Sequence, residues 1–244
     1  MKTRISLLRA ILIGAIFAVA VYIHGEADST VIERFSKLSY YDSNTWLRNQ
    51  WLGIPTQQNP NDAWVIQEII AEVKPDYIVE TGTLLGGSAV LWAMVLREVN
   101  PAGKVITIDI EDNAARARQT AIARSMITFM VGSSTDPKIV SKVVHQVRGK
   151  RGLVILDSDH RMEHVLKELE VYAPLVSKHS YLIVQDSNVN GHPVWSDFGP
   201  GPMEAIEAFL MSNGDFEPDR DRERLLYTTN PRGYLKRLSV APEP

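Results

Sequence analysis

The sequence predicts a doubly wound α/β domain on a mostly parallel, seven-stranded sheet, with an antiparallel C-terminal strand pair. Three observations carry this. Short strands alternate with helical segments of about 10–15 residues, as crossover connections require. The strands are near-continuous apolar runs (VITIDI, LVILD, YLIVQD), which fits burial on both faces. Glycines and acids stand just after the strands, where such sheets bind ligands.

Taken in order, Asp62 is the expected N-cap of a helix through Val73, with Trp64, Ile66, Ile69, Ile70 and Val73 on its apolar face and Pro75 as its stop. Strands are expected at 77–80, 104–110, 127–131, 153–156 and 181–184. The helices between them are expected at 86–99, 113–124, 137–147 and 162–175, with Pro137 well placed as a first helical residue. A helix over 203–211 follows the Gly199-Pro200-Gly201-Pro202 turn, and 225–228 with 234–238 reads as the antiparallel pair around Asn230-Pro231-Arg232-Gly233. The α/β domain is thus placed at 62–240, and 28–61 reads as an irregular aromatic arm with one short helix (Tyr40, Tyr41, Trp46, Trp51).

The 244 residues hold 26 Lys+Arg, 29 Asp+Glu and no Cys, for a net charge of −3. Thiol nucleophiles, thiolate metal sites and disulfides are excluded. The charge gives no reason to expect a nucleic-acid partner. The average hides a leader: Lys2, Arg4 and Arg9 precede an apolar run over 10–23 broken only by Gly14. Residues 1–27 carry three bases and one acid, net +2, which leaves −5 for 28–244. A basic stretch before an apolar run marks a signal or membrane anchor. As a helix it rises only ~21 Å, short of the roughly 30 Å hydrocarbon core. Gly25-Glu26-Ala27 is a passable cleavage site, so an uncleaved anchor and a cleaved export signal both stay open, as does the side of the membrane.

The first strand runs into Glu80-Thr81-Gly82-Thr83-Leu84-Leu85-Gly86-Gly87-Ser88. It lacks the Lys of a Walker A loop and the G-x-G-x-x-G dinucleotide spacing. Its glycines let a ligand reach backbone N–H groups at a helix N-terminus. Asp109 follows Gly86 by 23 residues at the end of the next strand, where an acid accepts from ribose hydroxyls. Together these indicate a nucleoside pocket.

Glu80–Ser88 with Asp109 resembles the S-adenosylmethionine pocket of class I methyltransferases. LDSDH (156–160), VLKELEVYAPLV (165–176), YLIVQDSNVNGHPV (181–194) and GPGP (199–202), with NPNDAWVIQEII (59–70) before them, resemble the cephalosporin hydroxylase/rhamnosyl O-methyltransferase family over about Trp46 to Leu238. The resemblance implies a Rossmann-like methyltransferase fold and S-adenosylmethionine as cofactor. Glu80, Gly82, Thr83, Gly86, Gly87, Ser88, Asp109, Ser133, Ser134 and Asp157 would surround it. It also implies a metal ligand in the D-S-D-H segment and an acidic pair after the fifth strand. Asp157, Asp159 and Asp186 at neighbouring strand ends repel unless a cation sits between them, and hard oxygen ligands suit Mg²⁺; Asp159 and Asp186 are the leading ligands. Gln185-Asp186 stands where the family usually has Glu-Asp, which removes a charge. Asp159-His160 is no H-x-D pair, so non-haem iron oxygenation is not supported.

His160 and His192 are the candidate general bases. The 190–202 loop is a candidate lid whose Trp195 and Phe198 suit stacking on a sugar ring. The expected function is O-methyl transfer to a hydroxyl of a small molecule, sugar or glycolipid, the leader placing the domain at a membrane. One conflict accompanies the leader: its basic residues predict an exported domain, whereas S-adenosylmethionine is cytosolic, and a helix lying in the interface would remove it. Against this stand a non-catalytic binding module or partner subunit of a membrane complex, which Gln185 favours, and a nucleotide-dependent oxidoreductase, which the missing fingerprint disfavours. The aromatic arm is also a candidate surface for a second copy of the chain.

Overall fold

The computed structural model describes residues 29–239; the leader lies outside them. Among the described residues no helix is long and apolar enough to cross a membrane. Seven strands form one sheet: β1 (Tyr77–Thr81), β2 (Lys104–Asp109), β3 (Ile127–Val131), β4 (Gly152–Leu156), β5 (Tyr181–Val184), β6 (Phe216–Pro218) and β7 (Tyr234–Arg237). Their order is β3-β2-β1-β4-β5-β7-β6. The first five are parallel, and β7 runs antiparallel to both β5 and β6. The direction of winding reverses between β1 and β4, the switch point at which open sheets of this kind bind ligands.

Period-two alternation splits the strand residues between two cores. Ile78, Val105, Leu153 and Ile155 face α1 (Pro60–Val73) and α2 (Gly87–Val99). Val79, Ile106, Ile108 and Val154 face α4 (Pro137–Val147), α5 (Met162–Tyr172) and α6 (Pro202–Ser212). The segment between β2 and β3 forms two short helical pieces rather than one, Ala115–Arg118 and α3 (Ala121–Met126), because Thr120 adopts an extended conformation and caps α3 through the N–H of Ala123.

Four local expectations are corrected. Asn59, not Asp62, caps α1, with Pro60 at its first position, and Asp62 is drawn into the interior. Trp64 is 61% exposed and donates to Glu68 rather than joining the core. The strand paired with β7 is Phe216–Pro218, whose Phe216 packs on Phe209 and under Arg237. Residues 225–228 form no strand: Leu226 is exposed with φ 67°, and Thr228 and Thr229 turn inward to Asp62. Finally, the arm is ordered: residues 29–37 are helical, Leu38–Ser43 continue as a π-helical turn, Thr45–Arg48 add a helical turn, and Gln50–Trp51 pairs with Ile54–Pro55.

Candidate active site

A cleft of about 580 Å³ opens at the carboxyl ends of β1–β5 and is roofed by the arm and the 195–198 loop. Its size falls within the ~300–1,000 Å³ of ordinary small-molecule sites. Gly82 closes the floor. Its φ is +87°, and a Cβ there would stand 1.7 Å from the carbonyl oxygen of Asp157, so β1 and β4 can splay their ends this closely only around glycine. The next turn is closed by Gly86, also left-handed, whose N–H donates to Thr83 O at 2.7 Å. Gly87 and Ser88 then start α2 on the cleft wall, in the first turn whose N–H groups have no carbonyl partner within the helix.

Asp109 ends β2 with its carboxylate fixed by two backbone donors, Leu84 N–H at 2.7 Å and Glu111 N–H at 3.1 Å. Thr83, Ser133 and Ser134 complete that side. Glu80 and Gly86 are not on the wall, contrary to expectation. Gly86 packs on Ala114 and Ala117. Glu80 lies beneath the floor, buried, accepting from Trp92 Nε1 at 2.9 Å and Thr107 Oγ1 at 2.6 Å. Burial pushes its carboxyl up to about 7 against the pull of hydrogen bonds from Thr107, Ser88 and Trp92. It anchors the glycine turn from behind.

At the other end, Asp157, His160 and Asp186 converge, with one ligand-capable atom from each lying within 4.8 Å of the others. His160 Nε2 is 3.2 Å from Asp186 Oδ2. Burial, then Asp186 and Glu80, push the Asp157 carboxyl well above the usual carboxylate range. Burial also raises Asp186, against the pull of His160. Two acids and an imidazole facing one another in this way form a donor set that a divalent cation fits.

Asp159 does not join them. Its carboxylate forks onto Arg161, with Nη2 at 2.6 Å and Nε at 3.0 Å, and this pairing holds it below its usual range. His160 takes the place expected of Asp159. Nor does His192 face the cleft. Its Nε2 lies 2.9 Å from Glu204 Oε1, which also accepts from Asn190 Nδ2, while Glu204 Oε2 accepts from Gly201 N–H. Burial alone would raise Glu204, but those hydrogen bonds prevail and hold it at about 2. This cluster ties the 190–201 loop to the start of α6, so His192 is a fastening of the loop rather than a base.

Two contributors carried no motif. Gln58, from the arm, donates to Asp157 Oδ2 at 3.0 Å and to Gln185 Oε1 at 2.8 Å. His164 lies on the cleft wall, its Nε2 3.2 Å from Ser134 Oγ and 3.3 Å from the buried Glu168, whose pairing raises the imidazole pKa. The signal for the second was an acid inside the apolar stripe of α5 with a His four residues before it; the first had none.

The family model described as Rhamnosyl O-methyltransferase/CmcI matches residues 43–238. Rhamnosyl O-methyltransferases of Mycobacterium tuberculosis and Mycobacterium leprae are 40% and 37% identical to this chain over 211 and 214 residues. Each alignment covers 85% of this chain, and 85% and 91% of the respective relative. Solved structures of CmcI, one apo and one described as Mg-SAM, superimpose with a TM-score of 0.61 at 21% and 20% identity. They cover 79% of this chain and 77% and 78% of their own, and at that identity the likeness speaks to the fold. With a sheet order and cleft of this kind and a match along most of its length, the chain belongs to the rhamnosyl O-methyltransferase/CmcI family and is an S-adenosylmethionine-dependent O-methyltransferase.

Proposed function

We propose that this enzyme methylates a hydroxyl group of a sugar, with help from a divalent cation. The observation that carries the reading is the division of one cleft into two chemistries: a glycine turn with a backbone-fixed Asp109 at one end, and Asp157, His160 and Asp186 at the other. The first end suits the nucleoside of S-adenosylmethionine, with the ribose on Asp109 and the amino-acid end toward the Gly82–Ser88 turn. The second suits the reacting hydroxyl. The likeness to mycobacterial rhamnosyl O-methyltransferases supports a rhamnosyl-type acceptor.

The sulfonium is already an activated donor, so alignment is the main requirement. Asp157, His160 and Asp186 would hold Mg²⁺, which supplies positive charge that lowers the pKa of an acceptor hydroxyl. In this arrangement His160 serves as a ligand. Asp157 and Asp186 would likewise be committed to the cation, so the proton of the acceptor would pass to water in the cleft. Titration calorimetry with S-adenosylmethionine, paired with a methyl-transfer assay on methyl α-rhamnopyranoside with and without Mg²⁺, tests the reading. Cofactor binding with Mg²⁺-stimulated product is expected. Absence of binding at millimolar cofactor overturns the enzyme reading, and metal-independent turnover overturns the cation alone.

For the leader the proposal is interfacial anchoring, supported by the bases before its apolar run and by their length, too short to span. Membrane fractionation of the full chain against one lacking residues 1–27 tests it. Recovery of both in the same fraction argues against an anchor.

A further inference from the structure

We infer that the arm helix is a docking face for a lipid surface with anionic headgroups, and that docking brings the cleft mouth to that surface. This rests on the interfacial-anchor reading of the leader above and names the part of the folded domain that shares the leader's surface. The arm helix is inverted. Val31, Phe35 and Leu38 recur at i, i+4 and i+7, which sets them on one face of the helix over 29–37 and the turn that follows it. They are 65%, 54% and 47% exposed. The face turned inward carries serines instead. Ser36 is buried, its Oγ donating to Ile32 O at 2.8 Å, and Ser39 Oγ accepts from Tyr227 Oη at 3.1 Å. A helix that met only water outside would turn its apolar stripe to the core. This one keeps its large apolar side chains out, which marks an interaction surface.

The apolar surface continues on both sides of the stripe. Phe35 meets Tyr227 edge to face at 5.0 Å, and Leu226, next to that ring in the chain, is exposed. Toward the cleft, Tyr41 stands three residues after Leu38 and is half exposed. Its Oη accepts the N–H of Trp195, which lines the cleft and is itself 44% exposed. The line thus runs from the arm to the mouth. Two features name its occupant. The apolar run over 10–23 ends five residues before the helix starts, a tether of roughly 20 Å at most. A leader lying in the interface therefore keeps the stripe within reach of the same surface. Residues 1–38 also carry five bases and three acids, net +2, against −5 for residues 39–244. Among those bases, Arg34 is the i+3 neighbour of Val31 and stands four before Leu38, beside the stripe. A positive apolar face on a negative domain matches anionic lipid. A second copy packed on this face about a two-fold axis would bring the positive segment against itself. An acceptor whose sugar is carried on an apolar tail would meet the cleft at the surface that holds its tail.

The test is sedimentation of the full chain with phosphatidylcholine vesicles, with and without phosphatidylglycerol, alongside thermal melting and mass by light scattering. V31S/F35S/L38S is expected to lose vesicle partitioning by roughly 10–100-fold, as three side chains each give up part of their burial. Its melting should stay unchanged, because exposed substitutions seldom move it. Arg34→Gln should lose about 5-fold, and only on vesicles with phosphatidylglycerol. Brominated lipid should quench part of the parent's tryptophan emission, and Trp195→Phe should remove a share of that quenching. Quenching that Trp195→Phe leaves unchanged overturns the placement of the mouth. A parent that binds, with a triple variant within twofold of it, overturns the docking face while the leader's anchoring stands. A dimeric parent whose triple variant is monomeric but binds vesicles equally gives the face to a second copy and overturns the proposal as well. A triple variant that melts lower puts the stripe beneath another part of the chain, with the same consequence. Failure of the parent to bind either vesicle would instead overturn the anchor reading itself, so the two failures are told apart.

Discussion

Gln58 and Gln185 form a buried amide pair behind the acid cluster, Gln58 Nε2 donating to Gln185 Oε1 at 2.8 Å while also holding Asp157 Oδ2 at 3.0 Å. Gln185 Nε2 has no partner among the described residues. The arm thus reaches across to steady a carboxylate of the acid cluster. Gln185→Glu would replace the neutral amide with a third carboxylate beside Asp157 and Asp186. Without a cation the added charge is buried among like charges, and the variant is expected to melt lower, by about 2–4 °C for each kcal/mol lost. Added Mg²⁺ should restore it, because a ligand that binds only the folded state stabilises it. Melting curves in chelator and in Mg²⁺ check this; a variant indifferent to Mg²⁺ would show that position 185 does not feel the cation.

Glu80 gives the fold a pH dependence of definite sign. Its carboxyl is raised to about 7 chiefly by burial. A raised acid binds its proton more tightly in the folded state, so its contribution is complete below the unfolded value near 4.5 and is lost as pH rises toward 7. The integrated loss is about 3 kcal/mol at one pKa unit per 1.36 kcal/mol. Denaturation of the parent and of Glu80→Gln across pH 4.5–7.5 should show the parent losing roughly that amount of stability relative to the variant. A parent that holds or gains stability relative to the variant as pH rises would mean that Glu80 stays ionised in the fold.

The strand ends were legible because a parallel sheet imposes both the apolar runs and the position of whatever follows them. Gly82, Asp109, Asp157 and Asp186 all stand where that rule puts them. Asp159 misled because neither spacing nor residue type reveals that Arg161, two residues on, captures it. His192 misled for the same reason, its partner Glu204 being twelve residues away on another element. The roof was opaque: Gln58 meets Gln185 across 127 positions, and Tyr41 meets Trp195 across 154. Contacts of that separation follow from tertiary packing and leave no periodic trace. β6 escaped because three residues ending in proline carry too little pattern to read.

Asp62 is expected to be the most sensitive structural acid. Buried in the first turn of α1, it accepts from Asn59 Nδ2 at 2.8 Å, Thr229 N–H at 2.8 Å, Thr229 Oγ1 at 2.9 Å, Tyr234 Oη at 2.7 Å and also Thr228 Oγ1. It pins the 228–234 loop, and with it Thr229 on the cleft wall, to the helix start. Asp62→Ala strands several buried donors at once and should cost about 3–5 kcal/mol. Chemical denaturation measures it. A loss under 1 kcal/mol would mean that water readily replaces the carboxylate.

His160 and His192 should separate cleanly on mutation, since one belongs to the acid cluster and the other to a loop fastening. His160 Nε2 lies 3.2 Å from Asp186 Oδ2 inside the cleft, whereas His192 Nε2 sits 2.9 Å from a Glu204 already held by Gly201 and Asn190. His160→Ala is expected to weaken Mg²⁺ activation by about 10–100-fold, the range for loss of a group that shapes a metal site, while melting hardly changes. His192→Ala should leave Mg²⁺ activation intact and lower stability by about 1 kcal/mol, the worth of one partly exposed hydrogen bond. Glu204→Gln, which weakens the same fastening from its other side, should reproduce the His192 effect. Activation constants for Mg²⁺ and melting temperatures for the three variants decide the matter. Loss of Mg²⁺ activation in His192→Ala would return that residue to the reacting centre. Retention of it in His160→Ala, with a rate that recovers as pH rises, would make His160 a base rather than a ligand.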